Sequence, residues 1–194
     1  MTVSSFPEKP ALRRDKRELR AAIPITEARE AAERAAAAAE SWILERAPEC
    51  VALYAARGGE LDTAPLAARL WSHGVQLALP AVVARDRPLA FRAWRPGGAT
   101  VSGFAGIMEP TADSAPVLPD VIVVPLLAFD RACHRIGSGA GFYDRTLERL
   151  AQSHAVSTLG FGFALQETER LPVEPHDVPL DAIATEAGII EAKG

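Results

Sequence analysis

Cysteine is scarce in this sequence: only Cys50 and Cys133 occur, far apart and without a CxxC pair. A zinc site and a disulfide framework are therefore not indicated. Cys133 and His134 are adjacent, and adjacent side chains rarely face each other productively, which speaks against a Cys–His nucleophile. Long apolar runs are missing too. The longest, "VIVVPLLAF" at 121–129, has nine residues, against the roughly 20 needed to span a bilayer. The opening "MTVSSFPEKPALRRDKR" has no apolar h-region of a secretory signal. A soluble, cytoplasmic protein with no membrane partner is expected. Positive charge is not in excess either. The net charge of −4 argues against bulk attraction to nucleic acid, so any anion-binding site must be local. HExxH, GxSxG and the phosphate-loop pattern GxxxxGK[ST] are all absent.

What remains is an ordinary globular composition, with 48% hydrophobic and 24% charged residues in 194. That length fits one domain, 1–194, with no internal repeat or linker. Apolar spacing predicts a helix over 11–23, stopped by Pro24, and a second over 26–47 with Thr26 as N-cap. A short strand over 50–56 follows, then a helix over 62–74 capped by Asp62 or Thr63 and closed by Gly74. Strands are expected at 75–83 and 89–94, and a loop with little regular structure over 96–120. "DVIVVPLLAFD" (120–130) suits a buried parallel strand, and a helix follows through "YDRTLERLAQSH". "VSTLGFGFA" and "DAIATEAGII" read as the last strands. This alternation predicts an α/β fold: three layers, with a mostly parallel open sheet and helices on both faces.

One stretch stands out. "RIGSGAGFYDR" (135–145) places glycines at 137, 139 and 141 between a strand and a helix, then crowds Tyr143, Asp144 and Arg145 behind them. Glycine permits positive φ and close backbone approach, and helix N-termini offer free N–H groups to anions. The stretch reads as a phosphate cradle or as a tight strand–helix turn in which Asp144 favours the helix dipole. Arg145 counts against the second reading, because a cation in a first helical turn is disfavoured without an anion nearby. Lys16 and Arg20, with Arg13 one turn earlier, share a helical face. That face is either a solvated one, with Asp15 and Glu18 interleaved, or a second anion contact. Glu60 reads by itself as a solvated loop glutamate.

Taken together, "LLAFDRACHRIGSGAGFYDRTL" resembles the signature of the 5-formyltetrahydrofolate cyclo-ligase family, also called methenyltetrahydrofolate synthetases. Three further segments match that family in order: Lys16-Arg17-Glu18-Leu19-Arg20, "ELDT" at 60–63, and "PVEPHDVPLD" at 172–181. The resemblance covers nearly the whole chain. It implies an Mg-ATP-dependent ligase that converts 5-formyltetrahydrofolate to 5,10-methenyltetrahydrofolate with release of ADP and phosphate. It also implies the site. Lys16, Arg20 and the run Arg135, Gly137, Ser138, Gly139, Ala140, Gly141, Phe142 and Tyr143 would contact ATP. Ala55, Glu60 and Tyr143 would border the folate, and Asp144 and Asp177 would bind magnesium. Tyr143, Lys16 and Arg145 would carry the catalysis. A formamide oxygen attacking a γ-phosphate carries no proton, so the step needs alignment and charge neutralisation rather than a general base. A pterin presents a ring N–H beside an exocyclic amine, a pair that one carboxylate accepts in bidentate fashion.

Three positions depart from the family pattern. Ser138 stands where many members carry a basic or larger residue, Phe142 replaces a common Tyr, and Met108 replaces a usual proline. Ser138 motivates an alternative, a non-catalytic folate- or nucleotide-binding protein on the same fold. A sugar-phosphate or acyl-transfer enzyme of similar architecture is a second, since fold alone does not fix function. A monomer is expected.

Overall fold

The computed structural model describes residues 8–152, 155–173 and 178–192. Helix α1 (Lys9–Ala21) opens with Pro10 in its first turn and ends ahead of Pro24. Helix α2 (Ile25–Leu44) begins one residue earlier than expected. Pro24 holds the N-cap position and Thr26 lies inside the first turn, so Thr26 is no cap. The alanine run of α2 has a packing reason as well as a propensity one. Ala31, Ala32, Ala35, Ala36 and Ala39 are buried at helical spacing, which lets the backbone lie close to what it covers.

Strand β1 (Cys50–Ala52) leads to α3 (Ala64–Ser72). Thr63 occupies the N-cap position of α3, yet its hydroxyl donates to the carbonyl of Tyr54 at 2.7 Å. Asp62 instead accepts the N–H of Ala64 at 2.9 Å. Strands β2 (Gln76–Ala81) and β3 (Ala90–Trp94) follow where they were expected. The segment 96–120 is not structureless. It contains a hairpin of β4 (Thr100–Ser102) and β5 (Met108–Pro110), joined through a 3-10 turn at Phe104–Gly106. Its glycines shape the turn rather than break the structure, and β-branched Thr100 and Val101 form the strand.

The apolar run at 120–130 also divides. Strand β6 (Val121–Pro125) lies in the main sheet, while β7 (Ala128–Phe129) pairs with β8 (Arg135–Ile136) in a ribbon of its own. Arg135 is therefore a strand residue, and the glycine loop connects that ribbon, not β6, to α4 (Phe142–Ala151). After β9 (Ser157–Phe161) the last expected strand folds back on itself, as β10 (Ala182–Thr185) and β11 (Gly188–Glu191).

The seven-stranded sheet runs β11-β10-β9-β6-β1-β2-β3. Pairings from β10 through β2 are parallel, and both edge strands are antiparallel. Side-chain alternation sorts the strands onto two cores. Val51, Val121, Val123, Leu159 and Ala182 pack with α2 and α3, whereas Ala52, Ile122, Val124 and Ile183 pack with Leu147 and Leu150 of α4. Helices thus cover both faces, in the three-layer α/β arrangement expected. Both cysteines are buried, and burial pushes each thiol up to about 11, so neither is a nucleophile at neutral pH. Among the described residues no helix is long and apolar enough to cross a membrane.

The alanine face makes a stability prediction. Ala35→Leu, at a fully buried position, is expected to cost about 1–3 kcal/mol through overpacking. Ala37→Leu, on the exposed face, is expected to stay within about 0.5 kcal/mol of the parent. Urea denaturation of both variants checks the pair.

Candidate functional site

A cavity of about 700 Å³ lies outside the carboxyl ends of β1, β2 and β6. The chain leaves β1 toward β2 through α3 on one face, and leaves β6 toward β9 through α4 on the other. Neighbouring parallel strands whose connections depart to opposite sides open a crevice between them, where ligands of open α/β sheets bind. Into it project Tyr54, Ala55 and Glu60 after β1, Pro80 and Val82 at the end of β2, and Pro125 to Leu127 at the end of β6. The tip of the β4–β5 hairpin adds Phe104, Ala105 and Ile107. Phe104 meets Phe142 edge-on with ring centroids 5.6 Å apart, and Arg57 donates to the carbonyl of Ala105 at 2.9 Å. The hairpin therefore closes one wall between the β1–α3 loop and the start of α4.

The charge of this cavity opposes that of the chain. Among the described residues six cationic ones line it (Lys9, Arg13, Arg17, Arg20, Arg57 and Arg135) against two carboxylates, Glu60 and Asp144. Arg20 is buried; one of its terminal nitrogens donates to the carbonyl of Gly58 at 2.8 Å, and its Nε has no partner among the described residues. Burial lowers its pKa, opposed in part by Glu60. The Arg135 side chain is 5% exposed and pairs with Asp144 at 2.7 Å, while its Nε also lacks a partner among the described residues. Buried guanidinium donors without acceptors are costly unless an anion arrives.

The glycine loop has two unlike sides. Arg13 donates to the carbonyl of Gly137 at 3.0 Å, Arg17 to that of Ser138 at 3.2 Å, and Arg145 to that of Ala140 at 2.9 Å. The N–H groups of Ser138, Gly139, Ala140 and Gly141 have no acceptor among the described residues. Gly139 sits at φ +102° and Gly141, the N-cap residue of α4, at +68°; the first is a conformation that only glycine adopts readily.

Of the residues singled out from the sequence, the fold brings Arg20, Ala55, Glu60, Arg135 and the run Gly137–Asp144 to one cavity. Lys16 and Arg145 are not among its lining residues. The Lys16 ammonium is buried against the carbonyls of Leu165 (2.9 Å) and Glu167 (2.8 Å). Desolvation lowers its pKa, with Glu167 acting the other way. Arg145 reaches the carbonyls of Ala140 and Arg85 and lies 5.4 Å from the Phe142 ring centroid. A cation in the first turns of α4 is thus accommodated by carbonyl oxygens as well as by any anion. Asp177 lies outside the described residues. Among the described residues no group of three or more His, Cys, Asp or Glu could hold a metal ion.

Arg17 and Arg57 escaped the sequence reading, as did the hairpin tip. Arg17 completes a stripe with Arg13, Lys16 and Arg20 at i, i+3, i+4 and i+7, a helical spacing that was available. Arg57 precedes Glu60 by three residues, and its N–H donates to that carboxylate at 3.1 Å. Phe104 carried no signal, because a hairpin inside a Pro/Gly-dense segment leaves little periodicity.

A model of the 5-formyltetrahydrofolate cyclo-ligase family matches residues 5–186. The chain belongs to that family. It is 38% identical over 146 residues to the 5-formyltetrahydrofolate cyclo-ligase of Escherichia coli K12, covering 73% of this chain and 80% of that one. Its identity to the Haemophilus influenzae protein of the same name is 32% over 174 residues, covering 87% and 92%. The NMR structure of Aquifex aeolicus 5,10-methenyltetrahydrofolate synthetase superposes with a TM-score of 0.80 at 28% identity, covering 96% of this chain and 93% of that one. The Mycoplasma pneumoniae synthetase shares the fold, with a TM-score of 0.74 at 20% identity. Members of the cyclo-ligase family thus match this chain in both sequence and architecture.

Glu60 yields a pH prediction. Burial raises its pKa above the usual 4.5, and the Arg57 N–H, Arg20 and the Arg57 charge oppose the shift only in part. A carboxyl with a raised folded pKa binds its proton more tightly when folded. Its contribution to stability is fully present below the unfolded pKa and lost as pH rises through the folded value. Glu60→Gln, which stays neutral, is therefore expected to melt at or above the parent temperature at pH 7, with the gap closing towards pH 4. Thermal melts across that range check the sign.

Proposed function

We propose that this chain catalyses the ATP-dependent cyclisation of 5-formyltetrahydrofolate to 5,10-methenyltetrahydrofolate, with release of ADP and phosphate. The observation that carries this reading is the polarity of the glycine loop, its carbonyls held by arginines and its N–H groups without an acceptor among the described residues, in one cavity with Glu60. Free N–H groups at a helix N-terminus suit a polyphosphate. A half-buried carboxylate suits the ring N–H and amine of a pterin. The names of the relatives agree with the folate half.

The chemistry asks for alignment more than proton transfer. The formyl oxygen forms a bond to the γ-phosphorus as the bond to the β-phosphate oxygen breaks, and ADP leaves. N10 then closes on the formyl carbon, loses its proton, and expels phosphate. In this scheme the loop N–H groups and the buried guanidiniums of Arg20 and Arg135 bind and orient the phosphates. Tyr143 lines the cavity and would border both reactants. Burial and the Glu60 charge push its phenol well above the usual range, so it stays protonated and acts as a neutral donor. Arg57 holds Glu60 in place through its N–H. Lys16, on carbonyls of 165 and 167, would act by anchoring α1 unless nucleotide draws it away. Magnesium favours one or two carboxylates together with substrate phosphates over an all-protein cage. A partly exposed Asp144 fits that donor set, and the ion would neutralise phosphate charge.

Incubation with 5-formyltetrahydrofolate and Mg-ATP, followed by methenyl-folate absorbance, tests the reading. Binding of both ligands without product would overturn it. Two variants separate the halves of the site. Gly139→Val is expected to fold but to lose ATP binding, because a β-branched residue does not adopt φ near +102°. Glu60→Gln is expected to raise KM for the folate about ten- to a hundredfold while leaving that for ATP unchanged.

A further inference from the structure

Three guanidiniums meet the backbone of the glycine loop rather than its side chains. Arg13 and Arg17 arrive from α1 and take the carbonyls of Gly137 and Ser138; Arg145 folds back from α4 onto that of Ala140. In a trans peptide the carbonyl and the next N–H point to opposite sides. Holding these three carbonyls therefore orients three N–H groups away from the arginines, those of Ser138, Gly139 and Gly141. The same N–H groups have no acceptor among the described residues. Gly141 makes room for this contact: a Cβ there would lie only 2.7 Å from a terminal nitrogen of Arg145, whereas one at 139 would meet Arg13 Cζ at an ordinary 3.6 Å, and glycine at 139 answers to its φ of +102° instead. Arg145 is itself fixed, by the carbonyl of Arg85 at 3.1 Å and by the face of Phe142.

We propose that Arg13, Arg17 and Arg145 are positioning residues that brace the glycine loop from its carbonyl side, presenting its N–H groups as a preformed site for polyphosphate. This rests on the reading of the loop as the nucleotide site and adds how the loop gets its shape. It also gives an account of Ser138. A short, exposed, neutral residue stands between two glycines, and the loop binds through oriented backbone donors instead of a side-chain charge at that position. Arg145 then serves in structure rather than in chemistry.

A residue that touched only phosphate would leave the empty loop unchanged when removed; a brace would not. The discriminating measurement is therefore made without nucleotide, on the full chain labelled with ¹⁵N. In the parent the amides of Gly139 and Gly141 are expected near the order parameter of about 0.85 typical of rigid backbone. In Arg13→Ala/Arg17→Ala, and separately in Arg145→Ala, they are expected to fall below about 0.6. Mg-ATP should then bind about tenfold or more weakly, with KM for the folate unchanged. The single variants Arg13→Ala and Arg17→Ala, each expected to loosen the loop part-way, carry the test if the double variant misfolds. Loop amides that stay rigid while ATP binding weakens would overturn the brace and make the arginines phosphate contacts. Unchanged ATP affinity in loosened loops would overturn it as well. A parent that binds no Mg-ATP, yet whose loop loosens on substitution, would sink the nucleotide reading and leave the brace standing.

Discussion

Strand β1 lies parallel to β6, with Val51 opposite Val121 and Ala52 opposite Ile122, and the two chains then leave to opposite faces of the sheet. Everything at the cavity follows from that pairing. It sets the carboxyl ends of two central strands side by side with no helix crossing between them. The segment after β1 delivers Glu60, and the segment after β6 delivers the ribbon that carries Arg135 and the glycine loop. Neither segment could form such a site alone. Residues more than seventy positions apart are brought together because both strands are buried and parallel, which leaves their register little freedom.

Around this crevice a chain of net charge −4 gathers, among the described residues, six cationic residues and two carboxylates. Such a concentration is unfavourable by itself, both through mutual repulsion and through desolvation of Arg20 and Arg135. Carbonyl oxygens offset much of it. Arg13, Arg17, Arg20 and Arg57 each donate to one. These neutral acceptors hold the guanidiniums without cancelling their charge. A carboxylate partner would have spent that field locally, as Asp144 does for Arg135. Positive potential is thereby kept available for a ligand that carries several negative charges of its own.

The fold was legible where burial dictates pattern. The first half of the apolar run at 120–130 is the buried parallel strand expected, though the second half leaves the sheet for a ribbon of its own, and the alternation of helices and strands led to the correct layers. Legibility failed where local chemistry competes with periodicity. Thr26 looks like a cap, yet Pro24, with its fixed φ, takes that position. The hairpins at 100–110 and 182–191 are built from strands of three or four residues, too short to show a period of two. The site divides in the same way. Gly137, Gly139, Gly141 and Glu60 were visible because unusual residue types sit at fixed spacing. Arg17 looked like any exposed arginine, because what it does is to contact a backbone atom 121 residues away.

Helix α1 has little apolar reason to be where it is. Leu12 is its buried hydrophobic residue, in a small cluster with Ala128, Ile136 and Leu171, while Leu19 is half exposed. Its hold on the protein comes instead from one polar stripe. Arg20 reaches Gly58 beyond β1, Arg13 and Arg17 reach the glycine loop, and Lys16 reaches Leu165 and Glu167 beyond β9. Three segments that follow three different strands are thus tied by a single helix. Hydrogen bonds of this kind contribute only about 0.5–1.5 kcal/mol each in net terms, somewhat more with a charged donor. A helix docked by such contacts is coupled to its acceptors more than to the core. Whatever shifts the glycine loop must shift Arg13 and Arg17, and through the rigid turns of α1 also Lys16 and Arg20. The glycine loop and the Gly58–Glu60 turn, on two sides of the cavity, therefore share one lever.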